Sequence, residues 1–153
     1  MAEISNYPPY SPNAQGLVEV LLDLRDTMAE QTYYGINGFG ALAFENVVQG
    51  AALYSRSSDG KVGNALASGS LDQATVVGFA ESSKLTGEEV RCLVVGLVAT
   101  SGLDAGESYY LATTTGAITK TPPSTAGEFV TRVGEAATSA SLIIQLEPPV
   151  LLR

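Results

Sequence analysis

Two stretches of this chain match each other without a gap at an offset of 56 positions: Gly40, Gly50, Tyr54, Gly60, Val77, Gly78 and Ala80 recur as Gly96, Gly106, Tyr110, Gly116, Val133, Gly134 and Ala136. Val47, Val62 and Ala74 keep apolar counterparts in Leu103, Ile118 and Val130, while most polar identities diverge. A repeat that keeps turn glycines and apolar sites but discards polar residues preserves a backbone and not a chemistry. The duplication predicts two pseudo-equivalent units, residues 36–83 and 92–139, in a body whose surface carries the function. It points away from an active site, and no enzyme is expected.

Within and between these units, short apolar runs alternate with turn residues: 36–44, 51–55, 61–66, 75–80, 89–98, 108–112, 117–121, 129–136 and 142–146. This spacing predicts a mainly β fold, an antiparallel barrel or sandwich of short strands, over residues 32–153. Asp59-Gly60 and Thr115-Gly116 fall at equivalent places, where glycine supplies the positive φ of a hairpin tip. The glycines of GINGFG (35–40) lack the βαβ context and the Lys-Ser or Lys-Thr of a phosphate loop, so they predict close backbone approach or a bulge. The run 142–146 follows the second unit as 90–94 follows the first. It reads as the opening strand of an absent third copy, placed to close the sheet beside the first repeat.

Ahead of the β region, SNYPPYSPN holds Pro8, Pro9 and Pro12 with Tyr7 and Tyr10, and residues 1–13 therefore read as an extended arm. Residues 14–31 hold helical spacing, with Ser11-Pro12 as its start signal. Leu17, Leu21, Leu24 and Met28 form an apolar stripe, and Glu19, Asp23, Asp26 and Glu30 a polar one. A helix this short is marginal alone. Its stripe must be covered, either on the β domain or around a symmetry axis with other copies of the chain. At the other end, EPPVLLR places Val150, Leu151 and Leu152 behind two prolines, where docking on a neighbouring chain or on the same protomer would cover them.

The chemistry the sequence carries is sparse. The 153 residues include no histidine, removing the commonest general base and nitrogen ligand, and the single Cys92 lies in an apolar alternating run that suits a small buried hydrophobe. Asp72, Glu81, Glu88, Glu89, Asp104 and Glu107 fall in or near turns, where a catalytic carboxylate pair is the sharp alternative to ordinary solvated acids. No calcium-loop pattern occurs, and no cofactor or metal is expected. Tyr33-Tyr34 and Tyr109-Tyr110 are adjacent pairs on or near strands. One ring of each pair faces outward if its neighbour faces in, leaving either half-buried cross-strand aromatics or sites for sugars or proteins.

A formal charge of −8, from 16 acidic and 8 basic residues, repels phosphate backbones, so nucleic acid is not an expected partner. The start MAEISNY lacks the order of a signal peptide, and apolar stretches break before spanning length; a soluble chain made in the cytosol, with no membrane partner, is expected. Charged residues make up only 16%, against roughly a quarter in ordinary soluble domains. That composition fits a β protein partly covered by its own copies, and equally a bland β domain.

The succession VVQGAALYSRSSDGKVGNALASG, VVGFAESS, GEEVRCLVVGLVATSGLDAGESYYLATTTGAITKTPP and GEFVTRVGEAATSASLIIQLEPP, across residues 47–149, resembles small β domains of tailed-bacteriophage virions. Such domains occur in capsid decoration (cement) proteins, head fibres and tail-fibre segments. The resemblance implies a non-enzymatic, typically trimeric structural protein located on a virion and made in the host cytoplasm, with no catalytic residues. On it rest the remaining expectations: a homotrimer with Leu17, Leu21, Leu24, Met28, Val150, Leu151 and Leu152 at its interface, and the major capsid protein as partner, contacted by Tyr7, Pro8, Pro9 and Tyr10. The alternatives are a short tail-fibre or head-fibre adsorption protein, and a glycan-binding or glycan-cleaving module acting on a host surface glycan.

Overall fold

The computed structural model describes residues 37–153. The arm (1–13), the helix (14–31), and with them Tyr7, Pro8, Pro9, Tyr10, Leu17, Leu21, Leu24, Met28, Tyr33 and Tyr34, lie outside the described residues.

Among the described residues, hairpin-forming glycines and short alternating runs give twelve strands and one short helix. The first sheet comprises β1 (Gly38–Leu42), β2 (Ala52–Ser55), β3 (Val62–Asn64), β4 (Gly78–Ala80) and β5 (Glu89–Leu93), in the order β1-β5-β4-β2-β3. The second comprises β6 (Gly96–Ala99), β7 (Ser108–Leu111), β8 (Ile118–Thr119), β10 (Arg132–Thr138) and β11 (Ser141–Ile144), in the order β6-β11-β10-β7-β8. Every neighbouring pair is antiparallel. The two orders are the same once each strand is renamed by its place in its repeat. A third ribbon pairs β9 (Phe129–Val130) with β12 (Val150–Leu151), and α1 (Leu71–Ala74) lies between β3 and β4.

This arrangement moves the repeat boundaries read from the sequence. The run 89–98 is two strands, divided where Gly96 takes φ 92°, and β5 belongs wholly to the first sheet, between β1 and β4. The run 142–146 does not close the first repeat. As β11 it lies between β6 and β10 in the second sheet and completes that repeat. The reason is local: β10 and β11 are joined by a tight turn in which Thr138 Oγ1 accepts from the Ala140 N–H (3.1 Å), and closing a short loop costs less entropy than reaching a distant edge.

Among the described residues no closed barrel forms. The β1 side of the first sheet meets its β3 side, among the described residues, through a single parallel bridge, Ala43 to Val62, with the Phe44 N–H donating to the Val62 carbonyl (3.0 Å), and through side-chain bonds from Asn64 to Glu45 and Asn46, and through no strand ladder. With β3 three residues long and β8 two, the end strands offer too short a ladder for closure. Over the described residues the fold is therefore two open five-stranded antiparallel sheets and the two-stranded ribbon.

Alternation along the strands splits the apolar residues of the first sheet between two cores. Leu53, Val62, Ala80, Val90 and Cys92 pack in one cluster. Their neighbours Ala52, Tyr54 and Phe79 join Val98, Tyr109, Leu111, Val133, Leu142 and Ile144 of the second repeat in the other. Phe79 is fully buried in this shared core, a contribution of about 1.5–3 kcal/mol from its side chain alone. Close approach explains one glycine of GINGFG: a side chain at Gly38 would run into the Cys92 carbonyl across the β1–β5 ladder.

Helix α1 fills the interval between the runs 61–66 and 75–80, where the spacing predicts turn residues. Ser70 caps it by accepting from the Gln73 N–H (3.3 Å), and Gln73 Oε1 accepts from the Ser70 N–H (2.9 Å), a reciprocal capping box. The fully buried Thr131 donates its hydroxyl to the Ala74 carbonyl (2.8 Å). That bond ties the helix end to the second repeat.

Candidate functional site

The repeats meet where the second hairpin, β7–β8, reaches the first sheet. Glycine at the tip, Gly116, takes φ 73°. Its N–H donates to the Ala65 carbonyl (2.8 Å), its carbonyl accepts from the Ala52 N–H (3.0 Å), and the Ala67 N–H donates to the Ala112 carbonyl (3.0 Å). Beside this contact lies a cleft of about 260 Å³ lined by backbone and by Gln49, Thr100, Ser101, Leu103, Tyr109 and Ile118, without a charged side chain. It offers hydroxyl, amide and peptide groups around a partly apolar floor.

A second depression, of about 310 Å³, lies on the first sheet beside Gly40 and is lined by Glu81, Ser82, Lys84, Glu89 and Arg91. Of the six acids read as candidates, the fold brings only Glu81 and Glu89 to one groove, in the company of two cations. Glu88 accepts from the Leu85 N–H (2.9 Å) inside its own turn, and Asp104 pairs with Lys120, whose ammonium that hydrogen bond holds above its ordinary pKa. Asp72 occupies the first turn of α1, and Glu107 stands exposed at the start of β7.

The hairpin tips show the clearest electrostatics. Asp59 accepts from Arg56 Nε (3.1 Å) and Nη2 (2.6 Å) and from the Lys61 N–H (3.1 Å). The Arg56 hydrogen bond first, then the backbone bond, lower its pKa to about 2. Arg56 also lies 4.1 Å from the centre of the Phe44 ring, which meets Tyr54 edge-on at 5.7 Å. Cys92 is fully buried, and burial raises its thiol pKa to about 11, in keeping with a packing role.

The tyrosine pairing resolves for one pair. Tyr109 is buried and its hydroxyl accepts from the Asp104 N–H (2.8 Å), while Tyr110 is half-buried on the opposite face. At the C-terminus, Val150 and Leu151 pair by backbone with Val130 and Phe129 of the same protomer, and Leu152 exchanges hydrogen bonds with Gly127 and Glu128. The segment thus docks on its own chain, yet Val150 and Leu151 keep 60% and 46% of their surface exposed.

One surface escaped the sequence reading. Leu97 and Ile143 are direct cross-strand partners on β6 and β11, exposed at 60% and 37%, and Val95, just before β6 in the chain, is exposed as well. Strand β6 ends the second sheet. The sequence signal was the unbroken apolar run CLVVGLVA, in which alternation cannot say which residues face out until Gly96 divides it.

Among the described residues no cluster of three or more metal-ligating side chains occurs, and no helix is long and apolar enough to cross a membrane. No protein-family model matches the chain, and no curated protein matches it either.

Proposed function

We propose that this chain is a structural virion protein that decorates the outer surface of a bacteriophage head as a trimer, without catalytic activity. The observation that carries the reading is the exposed apolar cross-strand pair of Leu97 and Ile143 on a sheet that ends at β6. Large apolar groups beside an open edge are a surface that assembly covers, because an unprotected edge otherwise recruits other chains. The likeness of residues 47–149 to virion β domains supports the location. The charge of −8 favours a protein surface over nucleic acid.

The test is titration of emptied phage capsids with purified protein. Saturation at a fixed ratio to the major capsid protein, with a trimer in sedimentation equilibrium, supports the reading; unsaturable or absent binding refutes it. The uncharged cleft between the repeats favours a second reading, adsorption to a host surface glycan as a short fibre. Glycan binding together with absent capsid binding would establish that reading in place of the first.

A further inference from the structure

The two repeat hairpins are built alike and used differently. Each closes with the same bond, the Arg56 N–H to the Lys61 carbonyl (2.7 Å) in the first and the Ala112 N–H to the Ala117 carbonyl (2.9 Å) in the second. Each tip glycine takes φ 73°. In the second hairpin the Gly116 N–H and the Ala112 carbonyl turn outward and pair with Ala65 and Ala67 of the first repeat. In the first, the counterpart groups bond each other: the Gly60 N–H donates to the Arg56 carbonyl at 2.7 Å. The docked hairpin, TTTGA, is uncharged, whereas the free one carries Arg56, Asp59 and Lys61, with an Arg56–Asp59 ion pair at 2.6 Å across its base.

The receiving side differs in the same sense. At the repeat offset, Thr121 and Pro123 stand where Ala65 and Ala67 receive the second hairpin. Proline has no N–H, so the bond that Ala67 gives to Ala112 has no equivalent at Pro123. The bond that Gly116 gives to the Ala65 carbonyl would fall at the Thr121 carbonyl, so the receiving side is closed by Pro123 alone.

We propose that the β body contains a head-to-tail docking contact that is used once, within the chain, and is capped at both of its free ends against a second copy of the chain. Hairpin 56–61 is capped by its own hydrogen bond and its charges, and segment 121–123 by Pro123. A head-to-tail contact whose free ends match propagates into open filaments unless something stops it. Buried backbone groups must be paired, so an arriving hairpin that found Pro123 would lose one partner for its carbonyl. This inference is independent of the virion reading, since it concerns only how copies of the body refuse one another.

Exchanging the caps for the residues of the docked contact tests it, in the full chain. One variant carries Arg56→Ala, Asp59→Thr and Lys61→Ala; the other carries Thr121→Ala, Pro122→Leu and Pro123→Ala. Each alone, checked by far-UV circular dichroism and melting, retains the sedimentation of the parent. Their mixture forms a complex whose mass is the sum of the two, and a chain carrying both sets forms a concentration-dependent series of larger species. Adding Gly60→Val to the hairpin variant abolishes the complex, because a β-branched residue cannot take the positive φ. A mixture that sediments as two separate species overturns the inference, and so does a complex that survives Gly60→Val. If either triple variant fails to fold, the pair Asp59→Thr and Pro123→Ala is read by the same criteria.

Discussion

Replacing each hairpin glycine by alanine separates the cost of a turn from the cost of the contact between repeats. Gly60 and Gly116 share the same φ of 73°, so Gly60→Ala and Gly116→Ala share a left-handed penalty of about 1–2 kcal/mol. A side chain at Gly60 meets nothing within 4 Å. At Gly116 a Cβ would lie 2.8 Å from Asn64 Oδ1 and 3.3 Å from Asn64 Cβ. Asn64 is held in place, its N–H and Nδ2 both donating to Glu45 Oε2 (2.8 and 3.2 Å) and Nδ2 also to the Asn46 carbonyl (3.0 Å). The hairpin must therefore withdraw, weakening the bonds to Ala52, Ala65 and Ala67, each about 1 kcal/mol net. The totals are about 1–2 kcal/mol for Gly60→Ala and about 3–5 kcal/mol for Gly116→Ala. Urea unfolding of both variants beside the parent, with an unchanged m-value, reads the difference directly. Equal destabilisation of the two, or a larger loss at Gly60, would refute the claim that hairpin docking holds the repeats together.

Other perturbations bear on particular residues. Phe79→Ala should destabilise the protein by about 3–5 kcal/mol, since the ring is fully buried in the shared core; a loss below about 1 kcal/mol in the same urea assay would contradict that packing. The Asp59 carboxyl, depressed to about 2 chiefly by Arg56, should titrate near that value by NMR. Its stabilising share is present above the ordinary carboxylate pKa and is lost as pH falls through about 2, so Arg56→Ala should return the midpoint toward 3.8. Cys92, with its thiol raised to about 11 by burial, should resist a disulfide-exchange reagent at neutral pH and react once urea unfolds the chain; rapid stoichiometric labelling of the native protein would place it at the surface. Thr131→Val removes the bond to the Ala74 carbonyl and should cost about 1–3 kcal/mol, with hydrogen exchange in α1 rising more than in the second sheet.

The strands were legible because their signals are local. Alternation, hairpin glycines and the burial of Cys92 each follow from neighbours along the chain, and the duplication announced that two units would be built alike. The capping box of α1 was also present in the letters Ser70 and Gln73, but a helix of four residues is too short to show an apolar period. For the candidate surfaces the sequence did less. It named Val150 and Leu151 as needing cover but could not select their partner strand, and it gave no sign that Leu97 and Ile143 would face outward together, because that depends on the register between β6 and β11.

The sequence by itself determined a mainly β chain with two equivalent sets of turns, since glycine at positive φ and period-two burial are properties of residues and their nearest neighbours. Tertiary structure alone decided which strand closes each repeat, placing β5 and β11 inside their own sheets, because strand neighbours are chosen by loop entropy and by cores assembled from distant residues. It also decided that Gly116 docks while Gly60 stands free. The two glycines have the same local conformation, and the difference between them comes from Ala65 and Ala67 at the one and the self-bonded, charged turn at the other.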